Sequence, residues 1–167
     1  MKKLIALVLI LALAVSALCG CSALEEVIPD QTITKDALTI TFPGYYLNLS
    51  DEDYAEGMEF LYGFNNTAVM AIKEDRATLE AILPDLTAQD YADLFIESNN
   101  LTSTAEEKDG VITFRYTANA SGTEFTYICA VFMAETDIWT VQAYTPTAEL
   151  AKNETDMWKI LTSVKIA

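Results

Sequence analysis

From Thr32 onward the chain alternates. Ile33 precedes a Lys35-Asp36 turn, and Leu38, Ile40 and Phe42 then share one face while Thr39 and Thr41 share the other, which predicts a short hairpin. Pro43-Gly44 ends it, and Tyr45, Tyr46, Leu47 and Leu49 continue as an extended piece into the polar run Ser50-Asp51-Glu52-Asp53. A second hairpin is expected where Met58 to Phe64 and Thr67 to Lys73 flank Asn65-Asn66, because asparagine tolerates the positive φ of a tight turn. The period then changes. Leu79, Ile82 and Leu83 fall at helical spacing and stop before Pro84. A stronger helix follows, with Thr87 as N-cap, Asp90 three residues on, an apolar stripe of Tyr91, Leu94 and Phe95, and a stop at Asn99-Asn100.

Four strand-like runs come next, Leu101 to Glu106, Val111 to Ala118, Thr123 to Met133 and Ile138 to Thr145, separated by Asp109-Gly110, Ser121-Gly122 and Glu135-Thr136-Asp137. Connections this short give an antiparallel meander. The Thr123 to Met133 run is apolar on both faces, Phe125, Tyr127, Cys129, Val131 and Met133 on one, Ile128, Ala130 and Phe132 on the other, so it should be a central strand covered on two sides. Thr147 is placed to cap a last helix with Leu150, Met157, Trp158 and Leu161 inward, and Val164 and Ile166 suit a short edge strand. Helices grouped on an antiparallel sheet predict an α+β, three-layer domain.

The beginning of the chain follows different rules. Lys2 and Lys3 precede an apolar run from Leu4 to Leu18, then small residues, the layout of a secretory signal. The run is shorter than the roughly 20 residues of a membrane span. Leu18-Cys19-Gly20-Cys21 resembles a bacterial lipobox, in which Cys21 carries diacylglycerol and becomes the first residue of the mature chain. Residues 1–20 are therefore read as a lipoprotein signal peptide, 21–31 as a flexible acidic spacer and 32–167 as one globular domain. Two or more acyl chains on one cysteine hold a protein to a membrane durably. The expected location is the extracytoplasmic side of a bacterial cell membrane.

Charge and chemistry narrow the picture further. The sequence holds 10 Lys and Arg against 25 Asp and Glu; losing Lys2 and Lys3 leaves 8 against 25, a mature charge of −17. Nucleic acid is excluded as a partner, since phosphate binding needs clustered cations. Cys129 is the single cysteine left in the domain, so no internal disulfide forms. Histidine is absent, which removes the commonest metal ligand and every Ser-His or Cys-His nucleophile. No Gly-x-Ser-x-Gly motif occurs.

Tyr91, Asp109-Gly110, Phe114, Tyr116, Gly122, Tyr127, Trp139-Thr140-Val141-Gln142, Trp158, Ile160 and Ser163-Val164-Lys165-Ile166 stand in an order that resembles the PsbP-like and DcrB-like group of small exported lipoproteins. The likeness runs from Ile33 to Ile166. It implies an α-β-α sandwich that acts in assembly, docking or binding without a shared active site.

Several residues that suggest chemistry have simpler roles. Asp51, Glu52, Asp53, Glu56 and Glu59 form the densest carboxylate cluster, but Ala55 and Glu56 break the EF-hand spacing and a solvated loop is the favoured reading. Cys129, in an apolar strand, is expected to pack as an inert hydrophobe. Trp139 and Trp158 invite sugar stacking yet fall in apolar patterns that assign them to the core or its margin. Sequons at Asn48, Asn65, Asn100, Asn119 and Asn153 are chance products if the chain is bacterial. Tyr45, Tyr46 and Tyr54, beside the acidic run, form the candidate binding surface. The expected function is a membrane-anchored, non-enzymatic binding or assembly module, with no catalytic residue, metal or cofactor and with a protein or small-molecule partner. A small hydrolase or metal-dependent enzyme is the alternative, and a structural envelope protein a third.

Overall fold

The computed structural model describes residues 28–49 and 57–167. Strands β1 (Gln31–Lys35) and β2 (Leu38–Phe42) form the first hairpin, turning at Asp36 with φ 50°. The chain-terminal strand β10 (Lys165–Ile166) joins β2 to complete a three-stranded sheet. The larger sheet has seven strands: β3 (Leu47–Asn48), β4 (Met58–Phe64), β5 (Thr67–Asp75), β6 (Glu106–Lys108), β7 (Val111–Ala120), β8 (Thr123–Met133) and β9 (Asp137–Pro146). Their spatial order is β3-β4-β5-β9-β8-β7-β6, and every pairing is antiparallel. The second hairpin turns at Asn65, φ 52°, and the meander turns at Asp109-Gly110 and Ser121-Gly122, all in the left-handed region. The β4–β5, β6–β7 and β7–β8 turns thus fall where asparagine, aspartate, serine and glycine permit positive φ.

Among the described residues, three α-helices complete the domain: α1 (Arg76–Glu80), α2 (Ala88–Ser98) and α3 (Leu150–Thr162). Helix α2 begins with the expected capping box, Thr87 accepting from the Asp90 backbone and Asp90 accepting from that of Thr87. Its Tyr91, Ala92, Phe95 and Ile96 pack on Met70, Phe114, Tyr127, Cys129, Val131 and Ile138. On the other side of the sheet, Met157, Ile160 and Leu161 of α3 join Leu38, Ile40 and Phe42 of the first hairpin over Val69, Ala71, Ile128, Ala130, Trp139 and Val141. The domain is an α+β, three-layer sandwich, and the layer on the α3 side is completed by the small sheet. Strand β8 lies inside the sheet with one residue set in each core, as its two-sided apolar pattern requires.

Four local expectations are corrected. Helix α1 stops at Glu80, so Leu79 reaches the core while Ile82 and Leu83 are 69% and 41% exposed. Pro84 disfavours helix at the residue before it, and Asp85 turns with φ 60°. Strand β6 begins at Glu106 instead of Leu101, because residues 101–105 must carry the chain from α2, on one face, back to the sheet edge. Ala105 is buried and Leu101 packs against the α2 core on the way. Thr147 does not cap α3: it lies in a 3-10 turn, Thr147–Glu149, and its hydroxyl meets that of Thr126 at 3.0 Å. Finally, Pro43 to Tyr46 is a turn closed by Tyr46 N–H donating to Pro43 O at 2.9 Å, not an extended piece. The rings of Tyr45 and Tyr46 consequently lie on the same side, 5.6 Å apart.

Candidate functional site

The turn at Asp109-Gly110 sets the register Glu106↔Thr113 and Lys108↔Val111, and the next pairing sets Arg115↔Ile128. Side chains of paired residues point to the same face. Glu106, Lys108, Thr113 and Arg115 therefore stand on the α3 side with Ile128, while Phe114 and Tyr116 turn to the α2 core. Helix α3 brings Glu154 and Trp158, four residues apart and so adjacent on its surface, over this patch. Between them lies a cleft of about 330 Å³, lined by Ser103, Thr104, Glu106, Lys108, Thr113, Arg115, Ile128 and Trp158, with Phe114 beneath.

Two contacts organise it. The Lys108 ammonium sits 3.4 Å from the centroid of the Trp158 ring, within cation–π distance. The Arg115 guanidinium donates through Nη2 to Glu154 Oε1. That hydrogen bond holds the Glu154 carboxyl below its ordinary range, aided by the charge of Arg115, a hydrogen bond from Trp158 and the charge of Lys108, against a smaller upward effect of burial. Thr113 Oγ1 donates to Glu106 O at 3.3 Å and stiffens the edge. The cleft thus presents two cations, one of them paired with Glu154, together with the Glu106 carboxylate, hydroxyls and an indole, a set suited to holding a small polar molecule.

The sequence candidates fall elsewhere. Tyr46 is 4% exposed and stacks on Phe42, with centroids 6.0 Å apart; its phenol is pushed up by burial, so it is a core residue and leaves the candidate surface. Tyr45 is half-buried against Phe64. Cys21, Tyr54, Asp51, Glu52, Asp53 and Glu56 lie outside the described residues. Glu59 pairs with Lys35 and Lys73 at 3.3 and 3.2 Å, which ties the two hairpins together. Cys129 is fully buried and burial pushes its thiol up; Trp139 is fully buried, and Trp158 is half-buried at the core margin. Among the described residues no group of three His, Cys, Asp or Glu is placed to hold a metal, and no helix is long and apolar enough to cross a membrane. Sequence reasoning passed over Lys108, Arg115 and Glu154. The signal was there in β7, where Thr113 and Arg115 put polar groups on a face that the neighbouring strand fills with Ile128 and Ala130.

The solution structure of cyanobacterial PsbP (CyanoP) from Synechocystis sp. PCC 6803 superposes with a TM-score of 0.58 at 12% identity, covering 91% of this chain and 99% of that one. The fold is PsbP-like. A Bacteroides thetaiotaomicron crystal structure gives a TM-score of 0.55 at 10% identity over 81% of this chain, which spans about half (48%) of that one. LpqN, involved in cell envelope biogenesis of Mycobacterium tuberculosis, superposes more loosely, with a TM-score of 0.43 at 14% identity over 84% of this chain and 92% of that one, too low to carry an argument. No family model and no curated protein matches the sequence. At these identities the PsbP-like likeness is one of fold, and function must be argued from the site.

Proposed function

We propose that this chain is a lipid-anchored binding or assembly module of the extracytoplasmic face of a bacterial membrane, non-enzymatic, with the α3/β6–β7 cleft as its recognition site. The cleft is the observation that carries the reading: it gathers Lys108, Arg115 and Trp158 on a chain otherwise dominated by carboxylates. The signal-like residues 1–20 and Cys21 supply the location. The PsbP-like architecture suits the reading without naming a ligand. The hydrolase alternative draws no support from Cys129, which is buried and held protonated, or from Glu154, which is committed to Arg115.

Fractionation of bacteria expressing the full chain and Cys21→Ser tests the location. The unaltered chain should stay in the membrane pellet after high-salt washing and be degraded by protease added to spheroplasts. Cys21→Ser should leave the pellet with its circular dichroism unchanged. A substituted protein that still pellets contradicts the tether.

A further inference from the structure

We propose that the cleft takes a monoanionic carboxylate carried on a small hydroxylated body, the chemistry of a sugar acid, with Lys108 and Arg115 binding the carboxylate; this deepens the reading above and rests on the cleft being the recognition site. The first argument is the state of Lys108. With 25 carboxylates in the chain, the ammonium lining this cleft faces an indole, and no carboxylate of the described residues lies within 4.0 Å of it. A ring face attracts the charge but accepts none of the three N–H donors in the manner of an oxygen. The cation is therefore held in position with hydrogen-bonding capacity to spare.

Arg115 is held in a complementary way. Of its five N–H donors, one nitrogen, Nη2, is engaged by the Glu154 carboxylate. The guanidinium is oriented and retains donors for a second, planar acceptor. A carboxylate matches that geometry, since arginine recognises planar oxyanions through paired N–H groups.

The other lining groups narrow the class. Glu106 stands on the same face as both cations and repels a second negative charge, while it accepts readily from a hydroxyl. Ser103 and Thr104 add hydroxyls, and the half-buried Trp158 offers apolar surface to the C–H side of a ring. A phosphate dianion is disfavoured by Glu106 and by the strongly acidic chain as a whole. At about 330 Å³ the cleft is at the small end of ligand sites, the size of one compact molecule.

Titration of the purified full chain, in mild detergent, with glucuronate, glucose and inorganic phosphate tests this by calorimetry and tryptophan fluorescence. Glucuronate should bind saturably with a change in indole emission as Lys108 shifts on Trp158. Lys108→Gln and Arg115→Gln should each weaken it about tenfold or more, a loss of at least one charge-assisted contact, with unchanged circular dichroism. Lys152→Gln, on the exposed side of α3, should have no effect. Glucose binding as tightly as glucuronate, or phosphate binding more tightly, would overturn the ligand class while leaving the cleft as the site. Glucuronate binding that neither cleft variant weakens would remove the cleft itself, and no saturable binding of glucuronate would sink the proposal with the membrane reading untouched.

Discussion

Cys129 and the tyrosines around it set how the domain responds to base. Cys129 is fully buried in β8, and burial pushes its thiol well above the ordinary 9.0. Tyr91 is raised well above 10.0 by burial and then by Glu74, to which its hydroxyl donates, and burial lifts Tyr127 to about 12. In the folded state these groups keep their protons where the unfolded chain has begun to lose them. Their contribution is therefore complete below about pH 9 and declines as pH rises through the unfolded values toward the folded ones. We expect denaturant stability to hold level up to about pH 9 and fall above it. The native protein should resist a thiol reagent at pH 8 until denatured. Denaturant stability that stays level well above pH 9, or rapid native labelling of Cys129, would contradict the buried placement.

At the scale of elements, caps and turns separate what binds the fold together from what merely resembles a helix. Thr87→Ala removes a capping box and should cost about 1 kcal/mol in denaturant unfolding. Ile82→Ser should fall within about 0.5 kcal/mol of the unaltered protein, since Ile82 is 69% exposed beyond the end of α1. A larger loss at Ile82 would place it in the core. The hairpins, the capping box and the two-sided β8 were legible because each is fixed by neighbours in sequence: period-two alternation, Asn65 and Asp109 at positive φ, Thr87 three residues before Asp90. The end of α1, the start of β6 and the turn at Tyr45-Tyr46 were not, because each is decided by where the chain must go next in space. The cleft was hidden for the same reason. Lys108 and Trp158 are fifty residues apart, and only the packing of α3 on the sheet sets one over the other.

The molecule as a whole leaves few places for a partner. Both faces of the seven-stranded sheet are occupied, by α2 on one side and by α3 with the small sheet on the other, so recognition falls to edges, loops and the margins of helices. The cleft lies at such a margin, where the short β6 edge passes α3. Tyr46, buried beneath the turn at Pro43, shows how an aromatic residue near a polar run can serve the core instead. The proposed lipid tether on a PsbP-like domain is open to one decisive measurement, the intact mass of the full chain extracted from bacterial membranes. The expected mass lacks residues 1–20 and is raised by diacylglycerol on Cys21; a membrane-derived protein that retains Met1 to Gly20, or begins at Cys21 without lipid, would contradict the tether.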